Sequence, residues 1–279
     1  MTQTPHSSSA NASIDAPTQA PLNILIALPT YDNSVHFDFA MALARLMETF
    51  KERGIGFEYI HTASSHIIRA RNFFANYFLS HPQFTHVLFL DTDMDFSREA
   101  IPRLLAGNKP VAGIACPYRF FDVEKKITSA DAGLTLREWQ EKTVDYNTAI
   151  RTDANGNGSV SDGWVEVNHI GTGIFLVRRD AMQAMAPLTQ LYRPPSQYAA
   201  YLPDGRFHAF FDTVGDKGVY LSEDLSFCQR ARAAGMPVWA LIDEKIVHHG
   251  ASAISGTFLR SLEQRGHAPV VSTVSGSAN

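Results

Sequence analysis

Apolar positions cluster in short runs along this chain, separated by segments of helical period. Residues 23–28 (Asn-Ile-Leu-Ile-Ala-Leu) form a buried-strand pattern that ends at Pro29-Thr30-Tyr31-Asp32. Residues 36–53 carry Phe39, Leu43, Leu46, Met47 and Phe50 on one helical face, and Gly54 marks the stop. Residues 57–60 read as a second strand. Ser64 or Ser65 is placed to cap a helix bearing Ile67, Ala70, Phe74, Tyr77 and Phe78 on one side. Residues 86–90 predict a third strand running into Asp91-Thr92-Asp93-Met94-Asp95. Ser97 is read as the cap of another helix, and residues 111–115 as a fourth strand.

Strand–helix alternation of this kind predicts an α/β fold: a mixed, mainly parallel sheet with helices on both faces. Ligands on such sheets bind beyond the carboxyl ends of the strands. Residues 29–32 and 91–95 therefore belong to one rim, although about sixty residues separate them in sequence. The second half is less regular. Residues 121–165 read as a long loop or a small inserted subdomain on the acceptor side. Residues 166–177 return to strand character around Gly171-Thr172-Gly173. Ser222 opens a helix running to Gly235. Short strands at 238–242 and 245–247 precede His248-His249-Gly250. Residues 1–20, rich in Ser, Thr, Ala, Gln and Pro, are expected to be a disordered tail. Residues 21–262 form the domain, and 263–279 a flexible C-terminal tail.

Composition narrows the classes. The 279 residues are 45% hydrophobic, enough for one large domain with a substantial core. A formal net charge of −4 gives no support to a phosphate-gripping nucleic-acid binder. The two cysteines, Cys116 and Cys228, sit in apolar runs with no metal-binding spacing, so a reducing, cytoplasmic setting is expected. No apolar run is long enough to span a bilayer, and no signal-peptide pattern opens the chain.

The strongest chemical signal is Leu88-Phe89-Leu90-Asp91-Thr92-Asp93. Carboxylates at i and i+2 of an extended segment face the same way and can approach one ligand. Their hard oxygens suit Mn²⁺ or Mg²⁺ with a diphosphate completing the shell. A solvated acidic turn is the bland alternative. An EF-hand is excluded, because Phe96 and Pro102 stand where Gly and Glu are required. A haloacid-dehalogenase-like phosphohydrolase with Asp91 as nucleophile is disfavoured, because Asp95 occupies its Thr/Val position. A sugar nucleotidyltransferase would show a Gly-rich loop after the first strand, which Pro29-Thr30-Tyr31-Asp32 is not.

Five short motifs in order resemble the family 2-like glycosyltransferases of GT-A fold. These are strand one ending in Pro29-Thr30-Tyr31, then Ala70-Arg71-Asn72, Asp91-Thr92-Asp93, Glu223-Asp224 at a helix start, and His248-His249-Gly250. The resemblance runs from about residue 22 to 260. It implies a GT-A α/β/α sandwich and sugar transfer from a nucleoside-diphosphate sugar to an unidentified acceptor: glycan, lipid, protein or modified nucleic acid. It implies a donor site of Pro29, Thr30, Tyr31, Asp32, Arg71, Asn72, Asp91, Thr92 and Asp93. Asp93 would be a direct metal ligand, Asp91 a metal or ribose contact, and His248 a further ligand with His249 as its rival. Asp224, with Glu223 beside it, falls where an inverting member has its general base. First-turn acids are also favoured by the helix dipole alone. Arg119, Gly171, Gly173 and Asp212 are assigned to the acceptor side, with Arg119 open between a ligand contact and a solvated charge. A nucleotide-sugar-binding pseudoenzyme is the non-catalytic alternative.

Overall fold

The computed structural model describes residues 21–119, 133–135, 138–139, 143–250, 253–264 and 270–271. The N-terminal tail, most of the C-terminal tail and the first part of the 121–165 segment lie outside the described residues.

In chain order the elements are β1 (Asn23–Thr30), α1 (Phe37–Glu52), β2 (Gly56–Ala63), α2 (Ile67–Ser80), β3 (His86–Leu90), β4 (Met94–Phe96), α3 (Ala100–Ala106) and β5 (Val111–Ile114). Then come β6 (Thr148–Ile150), β7 (Ser159–Ser161), β8 (Trp164–Ile170), β9 (Ile174–Arg178) and α4 (Arg179–Met185). Two small hairpin pairs follow, β10 (Leu191–Tyr192) with β11 (Phe207–His208) and β12 (Gly215–Asp216) with β13 (Val219–Tyr220). The chain closes with α5 (Glu223–Ala233), β14 (Val238–Leu241), β15 (Ile246–His249), β16 (Ala253–Gly256), α6 (Phe258–Gln264) and β17 (Val270–Val271).

The central sheet has the order β17-β7-β8-β14-β5-β9-β3-β1-β2, with β6 also paired to β8. β1 is parallel to β2 and β3, and β14 is parallel to β5. β9 runs antiparallel between β3 and β5, and β8 is antiparallel to β14. The sheet is thus mixed but mainly parallel, with β8 and β9 as its reversed strands. The strand character at 166–177 resolves into two strands, β8 and β9. Its turn at 171–173 sends β8 and β9 to different neighbours. Of the segment read as a loop or insertion, the described part contributes β6 and β7 to this same sheet.

β1 and β3 are buried on both faces, which is why their sequences read as unbroken apolar runs. Ile24, Ile26, Leu88 and Leu90 pack with Phe39, Leu46 and Phe50 of α1 and with α3. The alternate residues Leu25, Ala27, Val87 and Phe89 pack with Phe74 and Phe78 of α2, with α4 and with Phe227 of α5. The result is a three-layer α/β/α arrangement. α1 stops where expected: Gly54 takes φ +66°, a left-handed position that a side chain would strain.

Three local expectations are corrected. Ser97 caps no helix, because α3 starts at Ala100. Its hydroxyl instead donates to Glu244 Oε2 at 3.2 Å. The segment after Asp93 is not a simple rim loop. Met94-Asp95-Phe96 alternates buried, half-buried and buried, and forms β4, which pairs with β15 in a small sheet of order β16-β15-β4. α2 likewise has no side-chain cap, although Ser64 Oγ accepts from His66 N at 3.1 Å.

His86, at the start of β3, is a buried neutral ring whose pKa burial lowers to about 4, helped by nearby Arg178. Protonation is thus favoured in the unfolded chain, and stability from this group falls as pH drops from about 6.5 to 4. The difference corresponds to about 3 kcal/mol. Urea midpoints at pH 7 and pH 4.5 are expected to fall less for His86→Gln than for the parent. Equal falls would assign the acid sensitivity elsewhere.

Candidate functional site

The carboxyl ends of β1 and β3 open onto a cleft of about 400 Å³, within the range of small-ligand sites. Pro29, Thr30 and Tyr31 line one side, and Asp91, Thr92 and Asp93 the floor. Arg71, Glu223, Arg119 and His248 close it. Residues read from five separate motifs therefore meet in one place. Ser64, Ser65 and Ile67 also line it. Sequence reading gave the two serines only a capping role.

The floor is held by backbone bonds. Asp91 N donates to Gly173 O, His36 N to Thr92 O and His249 N to Asp93 O, each at 2.9 Å. Gly173 sits against Met94: a Cβ there would lie 2.6 Å from Met94 Cε and push the methionine tip aside. Gly171 N donates to Asn147 O at 2.7 Å. Both glycines thus face protein in this structure.

Arg71 is the centre of the cleft's electrostatics. Its side chain is 5% exposed. Nη2 reaches both oxygens of Asp91 at 2.9 and 3.1 Å, and Nη1 reaches Glu223 Oε1 at 2.7 Å. Burial opposes its charge, yet Asp91 and Glu223, with Asp224 beyond them, hold its pKa above the ordinary arginine value. α2 brings it there, with Ala70 and Phe74 facing the core. The next residue, Asn72, turns elsewhere. Its Nδ2 donates to Asp212 Oδ1 at 2.7 Å and its Oδ1 accepts from Phe211 N at 2.8 Å. Asn72 and Asp212 line a neighbouring cleft of about 360 Å³ with Arg69, Tyr192 and Phe207. Asp32 does not line the main cleft. It accepts from Ser34 N and Ser34 Oγ in an exposed turn.

Asp93 has a different environment. Its Oδ2 lies 3.0 Å from Arg119 Nη1 and 3.4 Å from His248 Nε2. Its Oδ1 is buried and has no hydrogen-bond partner among the described residues. Desolvation raises its pKa, but His248 and Arg119 outweigh this and hold it below the usual carboxylate value. His248 Nδ1 sits 2.7 Å from Pro117 O, a pure acceptor. Nδ1 therefore carries the proton, and Nε2 is the atom turned toward Asp93. A carboxylate with one orphaned oxygen, its other oxygen 3.4 Å from an oriented imidazole nitrogen, is a donor set that fits a divalent cation. His249 faces away from Asp93, toward His36 and Asp38.

At the start of α5, Glu223 lines the cleft while Asp224 is buried behind it. Asp224 accepts from Asn147 Nδ2, Ser222 Oγ and, at 2.9 Å, Leu225 N. These donors are all neutral. Its negative charge is felt by Tyr118, whose pKa burial raises first and Asp224 second. Both cysteines are free. Burial and then the charges of Asp91 and Asp93 push the Cys116 thiol far up, so it stays neutral beside the cleft. Among the described residues, no helix is long and apolar enough to cross a membrane.

A scan against protein-family models finds no match, and neither does a search of curated proteins. Solved structures share the chain trace distantly. A197 from STIV aligns at 16% identity and TM-score 0.41, over 82% of this chain and 86% of that one. A Drosophila β-1,4-galactosyltransferase 7 complex with manganese, UDP-Gal and xylobiose aligns at 12% and 0.36, over 88% and 73%. A putative glucose-1-phosphate thymidylyltransferase from Bacillus anthracis aligns at 10% and 0.36, over 90% and 96%. At these scores the likeness decides nothing about activity.

Arg71→Met should leave two part-buried carboxylates facing each other without their cation. Breaking a buried pair in this way typically costs about 3–5 kcal/mol. We expect a loss of that order in chemical denaturation, partly restored by Glu223→Gln in the same chain. A change below about 0.5 kcal/mol, the range of ordinary surface substitutions, would remove Arg71 from its organising role.

Proposed function

We propose that the chain is a metal-dependent glycosyltransferase of GT-A type, using a nucleoside-diphosphate sugar. The observation that carries this reading is Asp93, whose Oδ1 is buried without a partner among the described residues and whose Oδ2 lies 3.4 Å from the oriented His248 Nε2, at the carboxyl rim of a mainly parallel sheet. Asp93 and His248 would hold Mn²⁺ or Mg²⁺, with Asp91 at its edge. The bound cation would neutralise charge on the leaving diphosphate. Tyr31 and the Ser64–Ser65 turn line the side of the cleft suited to the nucleoside. Arg119 is 60% exposed at its side chain, so its pair with Asp93 is weakly held and the guanidinium is free to swing to a phosphate.

Asp224 is the proposed general base for the acceptor hydroxyl, which makes the reaction inverting. Glu223 is already paired with Arg71 at 2.7 Å. Asp224 meets only neutral donors. Asn147 and Ser222 fix its orientation, and Tyr118 lies on the side from which an acceptor would come. Arg119 lines the cleft, whereas Gly171 packs against Asn147. Gly173 serves the floor loop rather than the acceptor, and Asp212 with Asn72 belongs to the neighbouring cleft, which would extend the acceptor path. The phosphohydrolase alternative needs Asp91 as a free nucleophile, whereas both its oxygens are engaged by Arg71.

Donor binding should require a divalent cation. Calorimetry with UDP or GDP is expected to show binding with Mn²⁺ that EDTA abolishes and that Asp93→Asn largely removes. Equal affinity with and without the metal would overturn the reading, as would hydrolysis of simple phosphate esters lost in Asp91→Asn.

Asp224→Asn should leave metal-dependent donor binding near the parent value. Transfer, measured once a nucleotide-sugar screen finds the donor, should fall by about 10²- to 10⁴-fold, the usual contribution of general-base catalysis. Near-parental transfer would return Asp224 to a helix-start role.

A further inference from the structure

The central sheet ends at β2, and that edge is open. Among the described residues β2 pairs with β1 alone, in parallel and in unbroken register from Gly56 to Ala63. Gly56 N donates to Leu22 O and, just past the strand, Ser64 N donates to Thr30 O, each at 2.9 Å. Even-numbered residues therefore turn their N–H and C=O toward β1. Phe57, Tyr59, His61 and Ala63 turn theirs outward, where no described residue bonds them.

Tyr59 to Ala63 line a cleft of about 490 Å³ without skipping a residue. Side chains of a strand alternate between faces. Consecutive lining means that the cleft follows the backbone edge and not one face. Its far wall is aromatic. Phe73 of α2 stacks on Tyr198, with ring centroids 4.2 Å apart and planes 12° from parallel, and Tyr201 meets Phe73 edge-on at 5.9 Å. Phe73 and Tyr198 are buried, whereas Tyr59 and Tyr201 are exposed. Among the described residues, no Asp, Glu, Lys or Arg lines this cleft.

We propose that this edge docks an extended, uncharged polypeptide segment of a partner protein, which joins the sheet as a further strand beside β2. The outward N–H and C=O pairs recur at every second residue, about 6.6 Å apart. That repeat matches the backbone of another strand and has no counterpart in a sugar or an aliphatic chain. Apolar side chains at alternate positions of the segment would lie against Phe73 and Tyr201. An acidic or basic segment would find no counter-charge here, so the complementary segment is neutral. Free edges in natural sheets are blunted by Lys, Pro or bulges. β2 has no Pro and no bulge, and its one charged residue, Glu58, is not among those lining the cleft. Water can satisfy the free backbone groups, but that does not account for an aromatic wall held beside them. The same wall favours a single strand over a second copy of this chain, whose own layers would have to clear it.

Ala63 ends this cleft, and Ser64, the next residue, lines the main one. A docked strand thus leads toward the Asp91–Asp93 rim. Under the proposed glycosyl transfer, on which this consequence alone rests, the segment would belong to a polypeptide acceptor.

The test is a binding experiment on the full chain without donor or metal, which keeps it apart from transfer. The probe is an immobilised library of end-blocked octapeptides in which Ser or Thr alternates with Phe, Tyr, Leu or Val. We expect selected peptides that bind one per chain. N-methylation of one alternate set of peptide residues, those facing β2, should weaken binding at least about tenfold, the scale of losing one or two hydrogen bonds. N-methylation of the other set should change it little. Tyr201→Ala, at an exposed position, and His61→Pro, which removes an outward N–H that β1 does not use, should each weaken binding by a similar factor. No selected peptide, equal effects of the two N-methylated sets, or binding unchanged in both variants would overturn the proposal. So would a dimer that His61→Pro dissociates in sedimentation, which assigns the edge to a second copy. Binding of cellohexaose that Tyr201→Ala abolishes would overturn it too, by making the cleft a sugar site.

Discussion

A single buried cation organises this molecule. Arg71 cannot shed its charge, so a site that buries it must supply counter-charge and hydrogen bonds. Asp91 comes from 20 residues away and Glu223 from 152. The guanidinium thereby ties α2, the end of β3 and the start of α5 into one unit. Removing water from the group also fixes the spacing between the rim of the sheet and α5. The cleft is the space left above that junction.

The junction divides labour within each acidic pair. In Asp91/Asp93 and Glu223/Asp224, the first acid is consumed by Arg71. The second is left with weaker or neutral partners: Asp93 with an exposed arginine and an oriented imidazole, Asp224 with an amide, a hydroxyl and a backbone N–H. A carboxylate committed to a buried arginine is a poor base and a crowded metal ligand.

The parts of this arrangement legible in the sequence were those set by local period. β1, α1, β2, α2 and β3 follow from apolar runs and helical faces, and Gly54 marks a stop because its φ is positive. The helix at 222–235 was visible from its acidic start and terminal glycine. What escaped depended on contacts between distant segments. The three residues of β4 are too short to register as a strand without β15 beside them. Strand character at 166–177 is legible, but its division into β8 and β9, which find partners on different parts of the sheet, is not. The partners of Arg71, the role of Pro117 O and the neutral cradle of Asp224 have no spacing signature. The two faces of the histidine pair were accessible in principle. Adjacent residues on a strand point to opposite sides, and extending the 245–247 strand by two residues would have separated His248 from His249.

Charge balance in the cleft sharpens the proposed reading. Its walls carry three acids, Asp91, Asp93 and Glu223, against two arginines and His248. Arg71 is already shared between two of those acids, so it has little field left for an incoming anion. Arg119 faces Asp93 and can leave it only by exposing that carboxylate. A diphosphate entering alone would meet a surface with no surplus positive charge. A divalent cation on Asp93 and His248 changes the sign of the floor and frees Arg119 at the same time. Cation and diphosphate must then favour one another's binding, a reciprocal coupling that linkage requires. In the proposed reading, cation binding at Asp93 and His248 and the release of Arg119 toward the diphosphate therefore act together.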